Sequence, residues 1–209
     1  TDMRRIILVS VLALAGCSYQ ADVLETPSFN VASSYGEQIP GTWLLYVDAI
    51  NLDRPTQTNT MACAAHKFPL RMSSSFATSV HQTLDNVMDK IEIVPGPVNG
   101  AGLRSRGARG IITVRGEEVR PFMEVKPGFW AASMETRATV VATVIVDGNG
   151  GRLLGQTVEG QGFATGDMGY ACSGGAKALA QAAGQGMGDA MRKIGEAVSN
   201  SERVRSSGV

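Results

Sequence analysis

Apolar and polar positions along the chain alternate in blocks of two different periods. The first block is a run from Ile6 to Ala15, broken only by Ser10. It is too short to span a bilayer as a helix, which takes about 20 residues. Thr42 to Ala49 (TWLLYVDA) is aromatic and aliphatic and predicts a strand. His66 to Met72 predicts a short edge strand, because Pro69 is tolerated mainly at a sheet edge. Phe76, Val80, Leu84, Val87 and Ile91 recur at helical spacing, predicting an amphipathic helix over about 74–90 with Ser73, Ser74 and Ser75 as its cap.

The second half is more regular. Gly110 to Val119 and Met134 to Asp147 are β-prone, and Gly148-Asn149-Gly150-Gly151 is a hairpin turn that leads into Arg152 to Ala164. Strand alternation puts Ala138, Val140, Ala142, Val144 and Val146 on one face. With Gly160 and Gly162 opposite, that face would let a helix approach closely. The last helix runs from about Ala176 to Ser199, its stripe formed by Leu179, Ala183, Met187, Met191, Ile194 and Val198. Ala180, Gly184 and Gly188 lie beside the stripe as a small-residue row, for which packing on the glycine-bearing sheet is the expected reason. The order β-(β)-α-β-β-β-α predicts an α+β fold. Its antiparallel sheet of about four to five strands would carry two helices on one face and none on the other.

Three segments fall outside this pattern. Residues 18–40 are polar with scattered apolar positions and read as a flexible tether, and residues 200–209 read as a loose tail. Residues 95–110 form a Pro/Gly/Arg-rich loop in which Arg104, Arg106 and Arg109 are either solvated or in contact with an anion or a lipid headgroup. Between two strands, Pro121 to Trp130 carries Phe122, Met123, Phe129 and Trp130. These side chains either fold back over the sheet or form a docking surface for a partner protein or the membrane interface, since aromatic residues dominate protein hot spots.

The start of the chain narrows the setting. Arg4 and Arg5 precede the apolar run, and Leu14-Ala15-Gly16-Cys17 closes it. This layout resembles a bacterial lipoprotein signal peptide with its lipobox. The resemblance implies removal of residues 1–16, acylation of Cys17, a lipidated N-terminus and tether over 17–40, and a single periplasmic domain over 41–199. Several acyl chains anchor durably where one does not. Ser18 follows the cysteine, and by analogy with enterobacterial lipoproteins, where Asp there marks inner-membrane retention, it favours the periplasmic face of the outer membrane. In that oxidising compartment the two remaining cysteines, Cys63 and Cys172, are expected to pair rather than stay as buried thiols. Weak topological likeness also extends to small outer-membrane lipoproteins that assist assembly machines.

Composition adds exclusions. Nineteen basic and nineteen acidic residues balance over the chain, so no global polyanion binder or nucleic-acid partner is implied. The glycine runs lack phosphate-loop spacing, and no C-x-x-C accompanies His66 and His81. Glu117, Glu118 and Asp48 form no recognisable acid–base pattern. The expectation is a non-catalytic protein with no cofactor beyond the Cys17 lipid, acting as a structural or accessory subunit of an envelope complex. The alternative is a module that binds a small amphiphile or glycan between sheet and helices.

Overall fold

The computed structural model describes residues 18–128 and 132–207. Its elements run β1 (Ala21–Asp22), β2 (Ile39–Asp48), β3 (Leu70–Arg71), α1 (Ser73–Asp85), β4 (Met88–Ile93), α2 (Gly100–Ser105), β5 (Gly110–Lys126), β6 (Ser133–Gly148), β7 (Gly151–Asp167), α3 (Gly174–Ser199) and α4 (Glu202–Ser206). The fold is α+β. Its main sheet has five strands in the order β4-β2-β5-β6-β7.

The β5-β6-β7 portion is antiparallel, as the hairpin signal predicts. Gly148 pairs with Gly151 across Asn149 and Gly150; the positive φ, 117°, falls on Gly151 after the turn and not on either central residue as the hairpin signal implies. The expected all-antiparallel sheet is wrong on the other side, because β2 runs parallel to both β4 and β5. The physical reason is α1, which returns the chain from β2 to a parallel neighbour as a crossover helix. That helix ends at Asp85, five residues before the predicted end, and β4 follows almost at once. Val87 and Ile91 continue the helical spacing by coincidence; Ile91-Glu92-Ile93 alternates as a strand does.

The serines at 73–75 lie inside α1 and do not cap it. Its N-terminus is capped from a distance by Asp53, whose carboxylate accepts the Met72 and Ser73 N–H groups at 2.7 and 2.9 Å and the Ser73 hydroxyl at 2.7 Å. Partial burial pushes this carboxyl up, but the Ser73 hydroxyl and the two backbone donors outweigh it and hold it below the ordinary carboxylate value. The bound form is therefore the charged one. Its stabilisation is complete above the unfolded-state value and is lost as pH falls through the lower folded value. Asp53→Ala is expected to lose about 1 kcal/mol at neutral pH, the usual cost of a lost helix cap. The gap between wild type and variant should close as pH falls from about 5 toward about 2 in thermal melts. A gap of constant size would show that the charge is not what caps α1.

The main core lies between the sheet and the pair α1 and α3. Ile112, Val114, Val140, Val144 and Val146 on the strands meet Phe76, Val80 and Leu84 from α1 and Leu179, Met187, Met191 and Ile194 from α3. The other face is not bare at its β2 end. Leu44, Ile111 and Val94 pack there with Leu103 and Ala108, so the Arg-rich segment 95–110 folds α2 over a second, small core. Farther along, this face is wet and polar. Thr143 and Thr157 share a hydrogen bond of 3.0 Å, and Arg120 pairs with Glu118 and Glu159.

The contact between α3 and β7 is the tightest in the molecule's core. A β-carbon at Gly162 would land on the Ala182 carbonyl oxygen and 2.5 Å from the Gly186 nitrogen; one at Gly160 would land on the Gly186 carbonyl oxygen and 2.9 Å from Ala190 Cβ. The expected close approach at these glycines is present. The helix face that makes it, however, is Ala178, Ala182, Gly186 and Ala190, all buried. The row Ala180, Gly184, Gly188 turns away from the sheet, and a β-carbon at Gly184 or Gly188 would lie 3.7–3.9 Å from Val23 or Thr26.

Those partners belong to the segment expected to be a loose tether. Residues 18–33 instead lie as a strap along α1 and α3. β1 pairs with β3, Ala21 and Val23 enter the core, and Thr26 N–H donates to Ser79 Oγ at 2.9 Å. The Thr26 hydroxyl donates to the Gly184 carbonyl, Ser28 N–H to Thr83 Oγ1, and Ser33 bonds Ser199. Few but well-placed apolar and hydroxyl side chains suffice, because the groove between the helices is already formed. Residues 200–207 are ordered for the same kind of reason. Val204 is fully buried, and Arg205 lies 4.0 Å over the Tyr35 ring.

Candidate functional site

The residues that set the site apart lie at the end of the molecule where the described chain starts. Ser18 bridges Lys67, and Tyr19 N–H donates to the Lys67 carbonyl at 2.9 Å. The Tyr19 ring lies 5.7 Å from His66 and 6.1 Å from Phe68. Cys63 and Cys172 form a disulfide with a Cα–Cα distance of 6.0 Å, at this same end. It clamps the loop before β3 to the turn before α3. Among the described residues three non-glycine residues adopt positive φ, namely Cys63, Ala171 and Cys172, and all three are at or beside this bridge. Such conformations persist where the surroundings hold them. Cys17 lies outside the described residues, one peptide bond before Ser18.

A groove of about 1200 Å³ opens from this end along the outer side of α3. The strap forms one wall, with Tyr19 and Leu24; Phe163 on β7 forms the other; Ala180, Gly184 and Gly188 are the floor. Leu24 is 80% exposed and Phe163 47%, so the walls offer apolar surface to whatever enters. The lining polar residues are chiefly amides and hydroxyls, with Asp22 and Lys177 as its charged groups.

The same helix protects the sheet edge. Gln185 Oε1 accepts the Phe163 N–H at 3.1 Å, Asp189 Oδ2 accepts the Gln161 N–H at 3.2 Å, and Lys193 donates to the Glu159 carbonyl. An edge strand covered in this way cannot pair with another chain along that stretch. Burial raises the Asp189 carboxyl, but bonds from Lys193, Arg192 and Gln161 N–H overcome that and hold it below the ordinary value.

The structure redistributes the residues singled out above. Pro121 to Lys126 is not a loop but the end of β5. Proline is accommodated because β2 stops opposite Arg115, leaving β5 with one strand neighbour there. The loop around Asn59 covers that side, through Asn59 N–H to the Met123 carbonyl and Met123 N–H to Asn59 Oδ1. Met123 is fully buried in the main core, which removes it from any docking surface. Phe122 is 40% exposed on the open sheet face. It is in register with Arg137, which pairs in turn with Phe163, so one of the predicted aromatics shares a cross-strand row with the groove wall. Phe129 and Trp130 lie outside the described residues.

Arg104 and Arg106 are exposed, but Arg109 is a structural residue. Its guanidinium donates to the Ser207 and Pro40 carbonyls and lies 5.9 Å from the Trp43 ring. The space between sheet and helices, where the alternative reading puts an amphiphile, is filled by side chains and by the direct backbone contact of α3 with β7. Among the described residues no group of three or more His, Cys, Asp or Glu could hold a metal ion, and no helix is long and apolar enough to cross a membrane. Sequence reading missed the strap, Asp53 and the groove. A signal for the groove was present in the Ala180-Gly184-Gly188 row, assigned to the wrong neighbour.

No family model matches the chain, and no curated protein matches it. Among solved structures it is similar to a Xanthomonas campestris protein of the DUF330 family, at 11% identity over 85% of this chain and 92% of that one, with a TM-score of 0.47. It is also similar to a hypothetical protein from Chlamydia trachomatis, at 11% identity over 74% of this chain and 92% of that one, with a TM-score of 0.41.

Proposed function

We propose that this is a lipid-anchored protein of the outer membrane whose periplasmic domain works without catalysis, as a structural or accessory subunit of an envelope complex. The observation that carries the reading is the seating of the strap. A lipid on Cys17 would be followed by no free linker, because Ser18 and Tyr19 are already bonded to Lys67. The anchor would thus hold the folded body against the bilayer and set which end faces it. The α3 groove starts at that end, with Tyr19 and Gln20 in its wall. A partner segment lying in it would be met close to the membrane surface. The reading needs no cofactor and no nucleic acid; its partners are membrane lipid and a protein of the envelope.

The test combines lipid labelling with purification from detergent-solubilised envelopes. The wild-type protein is expected to incorporate labelled palmitate and Cys17→Ser to incorporate none. It should copurify with one stoichiometric partner. Gln181→Trp places bulk in the groove from an exposed position, so it should keep its melting temperature and lose that partner. An unlabelled wild-type protein would remove the anchor from the reading, and a partner retained by Gln181→Trp would remove the groove.

A further inference from the structure

The far tip of the β6–β7 hairpin collects positive charge that its surroundings do not balance. There, the 148–151 turn, α2 and α4 border a concavity of about 610 Å³. Arg104, Arg109, Arg152 and Arg203 line it, and no acidic residue does. They come from α2, from the lead into β5, from the start of β7 and from α4, so the fold converges them from separate parts of the chain. Their commitments differ. Arg109 is fully engaged with Pro40 and Ser207. Arg152 pairs with Asp147 through its Nε and, more loosely, its Nη2, and among the described residues this is the one carboxylate paired with any of the four. Arg203 donates a single Nη2 bond to the Arg152 carbonyl. Arg104 is exposed, and its guanidinium has no hydrogen bond or ion pair among the described residues.

The geometry points to a binding site for a phosphate group, held by the free guanidinium edges of Arg104 and Arg203 with Arg152 beside them. Several like charges around one concavity repel each other, and an anion between them relieves the repulsion. Guanidinium forks match the tetrahedral oxygens of phosphate, and several arginines suit a doubly charged group better than a single carboxylate. The turn leaves room for the ligand. A β-carbon at Gly150 or Gly151 would meet nothing within 4 Å, so the backbone can be approached directly. The protein as a whole is neutral, which makes the site local and its attraction short in range. It stands at the opposite end of a 16-residue strand from the Ser18 end, roughly 50 Å away, and does not depend on the lipid anchor.

The phosphate could belong to a soluble compound or to a lipid headgroup, and the experiment separates them. The full chain carrying Cys17→Ser is titrated with pyrophosphate, and separately sedimented with vesicles containing phosphatidylglycerol. Saturable binding is expected in at least one arm, weakening as salt rises from about 50 to about 200 mM. Arg104→Gln and Arg203→Gln are each expected to weaken it roughly 3- to 10-fold, and the pair together more than about 10-fold, with the melting temperature unchanged. Arg120→Gln, on the open sheet face, should bind as the parent does. Arginine-dependent binding of pyrophosphate alone identifies a soluble ligand, and arginine-dependent sedimentation identifies a headgroup. Absence of saturable binding in both arms overturns the site, as does a double variant that binds like the parent.

Discussion

Gly162→Ala is expected to lower the melting temperature by roughly 6–12 °C, corresponding to about 3 kcal/mol or more. The added methyl has no room to relax. It would overlap the Ala182 carbonyl oxygen and sit 2.5 Å from the Gly186 nitrogen and 2.8 Å from Gln185 Cβ. Those are mostly backbone atoms inside a 26-residue helix, so α3 would have to lift as a body. Lifting it would also open the Leu179–Met187–Ile194 contact with the sheet. Gly188→Ala is the matched comparison. Its new methyl would lie 3.7 Å from Thr26 Cβ, an ordinary contact, and alanine favours the helix by up to about 1 kcal/mol. The melting temperature of that variant should hold or rise. Equal losses in both variants would mean that α3 does not sit on β7 as closely as described.

Loss of the Cys63–Cys172 bridge is the second large effect. The bridge closes a loop with a sequence separation of 109, and removing a native disulfide typically costs about 2–5 kcal/mol. Cys63→Ser with Cys172→Ser is expected to melt roughly 5–20 °C lower, and reductant should bring the wild-type protein to the same value while leaving the variant unmoved. The damage should be uneven. Cys63, Ala171 and Cys172 hold positive φ without being glycine, so once the clamp is gone the 170–172 turn can relax. Amide exchange should therefore accelerate first at Tyr19, His66 and Phe68, whose N–H groups bond near the clamp. A uniform loss of protection across α1, β6 and α3 would contradict this.

The parts of the fold that sequence made legible are those written in local pattern. The Gly148–Gly151 turn announces an antiparallel hairpin, and the alternation at 138–146 with Gly160 and Gly162 announces a helix lying on it. Strand direction in β2 has no such local mark. It follows from where α1 delivers the chain, and that depended on seeing α1 stop at Asp85. Val87 and Ile91 fit both periods, and the longer stripe prevailed in the reading. The candidate sites were legible only in fragments. Arg104 and Arg109 are neighbours in sequence, but Arg152 and Arg203 join them only through the fold, while Arg106 does not line the concavity. Asp53 caps a helix twenty residues away, and no rule of short spacing would select it.

The strap has a consequence for the order in which the chain reaches its final form. It is the first described part of the chain, yet its seat is made by helices that come later. Thr26 waits for Gly184, 158 residues on, and Ser33 waits for Ser199, 166 residues on. Contacts of such high sequence separation form late, because the intervening chain must first be closed into a loop. A polypeptide emerging from its N-terminus onward would therefore carry an undocked leading segment until α3 had followed. Docking of residues 18–33 would then be among the last steps of folding, and a chain truncated before Gly174 would keep only the β3 and α1 side of their seat.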